Sequence, residues 1–198
     1  AYTPILLSEF MGRLVSKGYK PAFYSSDDDL KELLQGAKAF ITIVPLASFD
    51  GDEIETLKDF AERGGKIIMF CDPSVLSYAA CNSLSIEFGA YFSTSYLYNM
   101  EENFGVYRNI YVHFRNDTLF YNVSEIVMFT ASSISGNGKS IATTSNDTYD
   151  SITRMPSNYT VIFQNGNFLG VSDSTFILDP FLRVSNNSAF LDTVIKFI

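Results

Sequence analysis

Apolar and polar positions alternate with two different periods along this chain, and the period changes near residue 90. In the first part, Ile5, Leu6, Phe10, Leu14 and Val15 recur at helical spacing behind a Thr3-Pro4 start, and Gly18 ends the run. Residues 20–24 read as a short strand, and 27–35 as a helix with acids in its first turn and Gly36 after it. Residues 39–44 form a continuous apolar, β-branched run, the pattern of a strand covered on both faces. A helix over 50–63 turns Ile54, Leu57, Phe60 and Ala61 inward and stops at Gly64-Gly65, and 66–70 is a second apolar strand. Short strand–helix–strand connections imply parallel pairing with right-handed crossovers.

Beyond Asp72-Pro73 a helix is expected over 75–82, continuing or restarting over 84–88 up to Gly89. β-rich patterns follow at 109–114, 125–130 and 139–144, the first of them alternating. A hairpin is expected from 159–164 and 167–172 around Asn165-Gly166. Residues 187–198 close as an amphipathic helix capped by Asn186, while 96–107 and 146–156 read as loops. The expected fold is one α/β domain over 1–198, three-layered and Rossmann-like, with a largely parallel sheet and a β-rich second half.

Composition narrows the function. With 46% hydrophobic and 15% aromatic residues the chain can bury a large core, which excludes disorder and fibrous classes. Fourteen basic against 22 acidic residues give a net charge of −8, so nucleic acid is not an expected partner. No apolar run reaches the length of a membrane span. The chain opens at Ala1 without Met and closes at Ile198 inside a helix, so flanking segments are expected at both ends.

The second half carries five N-x-S/T sequons, at Asn116, Asn122, Asn146, Asn158 and Asn186. They are glycosylation candidates, although Asn and Ser also fill loops for conformational reasons. Cys71 and Cys81 fit a single disulfide of an oxidising compartment or two buried thiols equally well. With only His113 beside them, neither a zinc nor an iron–sulfur ligand set exists, and no metal or other cofactor is expected.

The order of several short motifs carries a resemblance. Lys17-Gly18-Tyr19 ends a helix, a strand leads to Pro45, and Phe60-Ala61-Glu62-Arg63-Gly64-Gly65-Lys66-Ile67-Ile68 follows. Late in the chain come Gly170-Val171-Ser172-Asp173-Ser174-Thr175-Phe176 and Asn186-Asn187-Ser188-Ala189-Phe190-Leu191. The chain resembles the class I glutamine amidotransferase-like superfamily. Within it, the chain looks most like the auxiliary domains of ABC-transporter-associated membrane proteins, akin to gliding-motility and intraflagellar-transport domains. That resemblance implies an extracytoplasmic, membrane-anchored setting with membrane-protein partners such as ABC transporter subunits. A soluble cytoplasmic protein is the alternative.

The family nucleophile would fall near Cys71, in Met69-Phe70-Cys71-Asp72-Pro73-Ser74, but its flanking glycines are missing and Pro73 removes an amide donor. The family's late His-x-Glu pair has no counterpart, since the lone His113 sits inside the 109–114 strand. A Cys71–His113 enzyme is therefore a secondary expectation, and a non-catalytic interaction or sensor domain the primary one.

In open α/β sheets ligands gather beyond the carboxyl ends of strands. Ser48, Asp50, Asp72, Ser74, Asp173 and Ser174 stand at such ends; Ser48, Asp72, Ser74, Asp173 and Ser174 are the ligand candidates for a small solute or glycan. The same aspartates are placed to cap helices or turns. Asp27-Asp28-Asp29 suits a helix N-terminus and lacks the spacing of a calcium loop. Tyr91, Phe92, Tyr96, Tyr98, Phe104 and Tyr107 form either an exposed stacking patch or core for the second half.

Overall fold

The computed structural model describes residues 5–25, 27–75, 77–115 and 117–198; the expected start at Thr3-Pro4 lies outside them. In chain order the helices and strands of the first half are α1 (Ser8–Ser16), α2 (Leu30–Leu33), β1 (Ala39–Ile43), α3 (Gly51–Glu62), β2 (Lys66–Phe70), α4 (Tyr78–Ser85), β3 (Ala90–Phe92) and β4 (Leu97–Tyr98). The second half adds β5 (Asn109–Phe114), β6 (Glu125–Phe129), β7 (Ile134–Gly136), β8 (Lys139–Thr143), β9 (Thr148–Asp150), β10 (Pro156–Ser157), β11 (Thr160–Asn165), β12 (Phe168–Val171) and α5 (Asn187–Phe197).

Local chemistry accounts for the best-defined elements. Asp50 caps α3 by accepting from the Glu53 amide at 2.8 Å, and Glu53 accepts from the Asp50 amide at 2.9 Å. The helix ends at two glycines with different duties. Gly64 takes a positive φ of 98°, and a Cβ on Gly65 would stand 2.4 Å from the Phe60 ring. Lys66–Phe70 is buried from its second residue onward, which is why its apolar run was readable as a strand.

Seven strands form one curled mixed sheet in the order β1-β2-β12-β11-β8-β5-β6. Only β1, β2 and β12 run parallel; the β11–β12 hairpin reverses direction and every later pairing is antiparallel. The sheet is thus mixed, not largely parallel, because β5 to β11 are joined in sequence by returns and not by helical crossovers. The hairpin turn sits one residue later than expected: Asn165 pairs with Phe168 and leaves Gly166-Asn167 as the loop.

Other expectations change for physical reasons. Residues 20–24 form no strand; Phe23 faces solvent and Tyr24 donates to Glu53 on α3. On α1 the inward residues are Phe10 and Leu14, with Leu7 before it, whereas Ile5, Leu6 and Val15 face solvent. β1 is the sheet's edge and only half-buried, not covered on both faces. The expected loops contain β4, β9 and β10, which form a three-stranded sheet, while β3 and β7 pair separately. The 75–82 helix begins later, at Tyr78, after a 3-10 turn over Pro73–Val75.

Strand alternation splits the core in two. Ile68 and Phe70 of β2 join Leu169 and Val171 of β12, Phe10 and Leu14 of α1, and Phe190 and Val194 of α5. Ile67 and Met69 point the other way, onto Leu57 and Phe60 of α3 and Leu84 of α4. Each such side chain contributes about 1.5–3 kcal/mol through burial. Arg13 ties α1 to α5 by an ion pair with Asp192 at 2.9 Å.

The curl brings β6 back toward the segment after β12. Side chains occupy its outer edge: Val127 N–H donates to Asn187 Oδ1 at 3.0 Å, and Asn187 Nδ2 returns a bond to Val127 O at 3.0 Å. Asn186 Nδ2 donates to Glu125 O at 3.0 Å, and Phe129 N–H donates to Asp173 Oδ2 at 2.7 Å. An edge capped in this way cannot template another strand.

Candidate functional site

Because β2 and β12 are parallel and in register from Ile67↔Phe168 to Phe70↔Val171, the residues after them emerge side by side. Four of the five ligand candidates meet there. Asp72 Oδ1 accepts from the Ser74 amide at 2.8 Å and from the Ser74 hydroxyl; Oδ2 accepts from Ser174 Oγ at 2.8 Å and Thr175 Oγ1 at 3.2 Å. Asp173 Oδ2 takes the Phe129 amide, and Oδ1 takes the Thr175 amide at 2.9 Å.

Asp72, Asp173 and Ser174 have no solvent exposure. Burial, and then the negative charge of Asp72, push the Asp173 carboxyl up to about 8, against the amides that stabilise its ionised form. Every carboxylate oxygen of the pair therefore already holds a donor from the chain itself. Thr175 is the member that sequence reading missed, although it lies within the quoted 170–176 motif.

Ser48 does not join this group. It is exposed on the loop after β1, where the neighbouring Phe49 amide donates to Ser83 Oγ at 3.0 Å. Asp50 serves as the α3 cap, and Asp29 caps α2 by accepting from the Glu32 amide.

The sulfur beside Asp72 is not available as a nucleophile. Cys71 and Cys81 form a disulfide that pins the end of β2 to α4, buried and flanked by Ser77 Oγ at 3.7 Å from each sulfur. His113 lies on β5, four strands from β2 in the sheet. Its ring stands 3.6 Å from Glu125 and 3.9 Å from Glu102, half exposed. Cys71 and His113 stand apart because β12, β11 and β8 lie between their strands.

The aromatic run divides between core and surface. Phe92 is fully buried, while Tyr98 gathers Tyr96, Tyr107 and Tyr149, the last stacked at 5.6 Å. The Arg108 guanidinium lies 4.1 Å over Tyr96 and 5.4 Å from Tyr107. Phe104 packs on Phe129, the residue whose amide Asp173 holds, and on Tyr111. Tyr149 carried no signal in the sequence, since its partner Tyr98 comes from another connection.

Open clefts lie elsewhere. One of about 390 Å³ is lined by Asp117, Lys139, Gln164 and Gly166, and another of about 320 Å³ by Glu9, Arg13, Asp179 and Arg183. Among the sequons, Asn122, Asn146 and Asn158 are exposed and Asn186 is half-buried; Asn116 lies outside the described residues. No helix among the described residues is long and apolar enough to cross a membrane.

No family model and no curated protein matches the chain. Its fold has solved counterparts. The mmIFT52 N-terminal domain is similar with a TM-score of 0.84 and 19% identity, over 100% of this chain and 96% of that one. A glutamine amidotransferase from Thermotoga maritima is similar with a TM-score of 0.59 and 8% identity, over 100% and 93%. An alpha-L-fucosidase isoenzyme 2 from Paenibacillus thiaminolyticus gives 0.56 and 12%, over 97% of this chain and 28% of that chain.

Proposed function

We propose that residues 1–198 are one three-layer, Rossmann-like unit of the glutamine amidotransferase-like class that serves as a non-catalytic interaction or sensor domain. In this reading it belongs to the auxiliary branch expected from its motifs, lies outside the cytoplasm, and is held there by a membrane-anchored protein associated with an ABC transporter. The observation that carries the non-catalytic part is the commitment of Cys71 to Cys81, with the lone histidine four strands away. The likeness to the mmIFT52 N-terminal domain, itself one part of a larger protein, favours a domain role over a free enzyme. A disulfide supports an oxidising compartment, since such bonds persist there.

A second reading, a solute- or glycan-binding module, draws on the Tyr98–Tyr149 stack beside Arg108. One experiment separates these from an enzyme. Full-length protein in intact cells should release this domain to added protease, and its cysteines should resist alkylation until reduced. Purified protein should release no ammonia from glutamine and hydrolyse no activated ester. Thiol-dependent turnover abolished by Cys71→Ser overturns the reading, as does a domain shielded from outside with both thiols free. Saturable oligosaccharide binding lost in Tyr98→Ala selects the second reading.

A further inference from the structure

Most described asparagines have a structural use in this domain. Asn82 holds the backbone of Phe92, Asn99 the amides of residues 101 and 102, and Asn187 the edge of β6. Four described asparagines, 122, 137, 146 and 158, make no side-chain hydrogen bond within the described residues, and three of those four head an N-x-S/T sequon. All three are exposed, and each lies in a connection: Asn122 between β5 and β6, Asn146 between β8 and β9, Asn158 between β10 and β11. The fourth described sequon behaves differently. Asn186 is half-buried, and its Nδ2 donates to Glu125 O on the edge of β6.

We infer that Asn122, Asn146 and Asn158 are N-glycosylation sites and that Asn186 is not. The inference rests on the extracytoplasmic reading given above. The donor is a lipid-linked oligosaccharide carrying a phosphate or pyrophosphate leaving group. The amide Nδ2 attacks the anomeric carbon, the C–N bond forms and the C–O bond to phosphate breaks. The polyprenyl phosphate departs and the amide gives up one proton, with no change of oxidation state.

The fold also sets when the sugar is added. The hydroxyl two positions after the asparagine is part of what the transferase reads. Ser124, following Asn122, is exposed and makes no side-chain bond. Thr148, following Asn146, is buried and lies 3.5 Å from Asn99 Nδ2; Thr160, following Asn158, is 2.7 Å from Ser140 Oγ. Asn146 and Asn158 must therefore be modified before their hydroxyls are packed, whereas Asn122 stays available in the folded domain. Both early sites border one place, because the Thr144 amide donates to Tyr159 O at 3.0 Å.

Glycopeptide mass spectrometry of the full-length protein isolated from its own cells tests this, with cysteine alkylation scored on the same sample. Expected are glycans on Asn122, Asn146 and Asn158 and an unmodified Asn186. Each of Asn122→Gln, Asn146→Gln and Asn158→Gln should remove one glycan and leave the melting temperature of the bare protein unchanged. Refolded bare protein given transferase and lipid-linked donor should be modified at Asn122 alone. Exported, disulfide-bonded protein with unmodified amides at all three positions overturns this inference only. Unmodified protein with free thiols on the cytoplasmic side overturns the extracytoplasmic reading as well.

Discussion

The hydroxyl of Ser174 donates to Oδ2 of Asp72 across 2.8 Å, although 102 positions of chain separate them. The contact follows from the parallel register of β2 and β12, which delivers both residues to the same corner of the sheet. It also explains why carboxylates placed like ligand-binding groups act here as internal ties. Their acceptor capacity is consumed by Ser74, Thr175 and the amide of Phe129.

The buried carboxyl at Asp173 makes stability depend on pH with an unusual sign. Its value of about 8 in the folded domain lies above about 3.9 in an unfolded chain. The native state thus keeps a proton that the unfolded state has released, so this contribution is complete below pH 4 and is lost as pH rises through 8. Asp117 and Asp150 act oppositely. Burial opposes their ionisation, but Lys139 and the amides of Leu119 and Phe120 hold Asp117 low, and Ser95 and the amides of Thr153 and Ile152 hold Asp150 low. Their stabilisation is lost as pH falls below about 4. Thermal melts from pH 3 to 9 should peak near pH 4–5. In Asp173→Asn the decline toward pH 8 should flatten; a wild-type optimum at pH 8 would contradict the assignment.

Reduction of the Cys71–Cys81 bridge, 10 positions apart, should cost about 3 kcal/mol by releasing the entropy of the closed loop. Urea titrations with and without reductant measure it. Cys71→Ala/Cys81→Ala should give one curve under both conditions. Equal curves for the wild type would mean the bridge contributes nothing.

Asn187→Ala strips Val127 of both edge partners and Phe181 O of a third bond. Leaving these buried groups unpaired should cost roughly 3 kcal/mol. The freed edge of β6 should also show as concentration-dependent association in light scattering. Asn187→Asp keeps an acceptor for the Val127 amide but sets a carboxylate against Val127 O, so it should rescue only weakly.

Gly136→Ala should be among the most damaging small substitutions. A Cβ there would fall 1.9 Å from Gly89 O, across the β3–β7 pair, with φ at 157°. We expect a loss of roughly 2–3 kcal/mol, read as a lower melting temperature. Gly12→Ala, with nothing near the added carbon, is the control and should be neutral or stabilising.

Legibility in the sequence tracked the range of the interactions involved. Lys66–Phe70 and Asn109–Phe114 were marked by their own apolar patterns, and the α3 cap by Asp50 and Glu53 alone. β3, β4, β7, β9 and β10 are two or three residues long, too short for a period to register, and the β3–β7 and β4–β9 pairs join residues remote in sequence. The pattern puts Ile5, Leu6 and Val15 on the inward face of α1, but packing on β2 and α5 decides which side is covered and leaves all three in solvent. Convergence of Asp72, Ser74, Asp173 and Ser174 was readable from strand ends. The burial of Asp72, Asp173 and Ser174 was not, since the curl that closes β6 over them comes from the second half, while Ser74 stays exposed.

The place of β12 between β2 and β11 has a consequence for assembly. In the seven-stranded sheet the β1–β2 pair cannot join the strands β11, β8, β5 and β6 until Phe168–Val171 leaves the ribosome and wedges between them. The final closure joins residues 101 positions apart, Ile67 and Phe168, so it should be slow and sensitive to interruption. A nascent chain stalled before that wedge offers an open β2 margin to any passing strand, the moment when a chaperone would matter most.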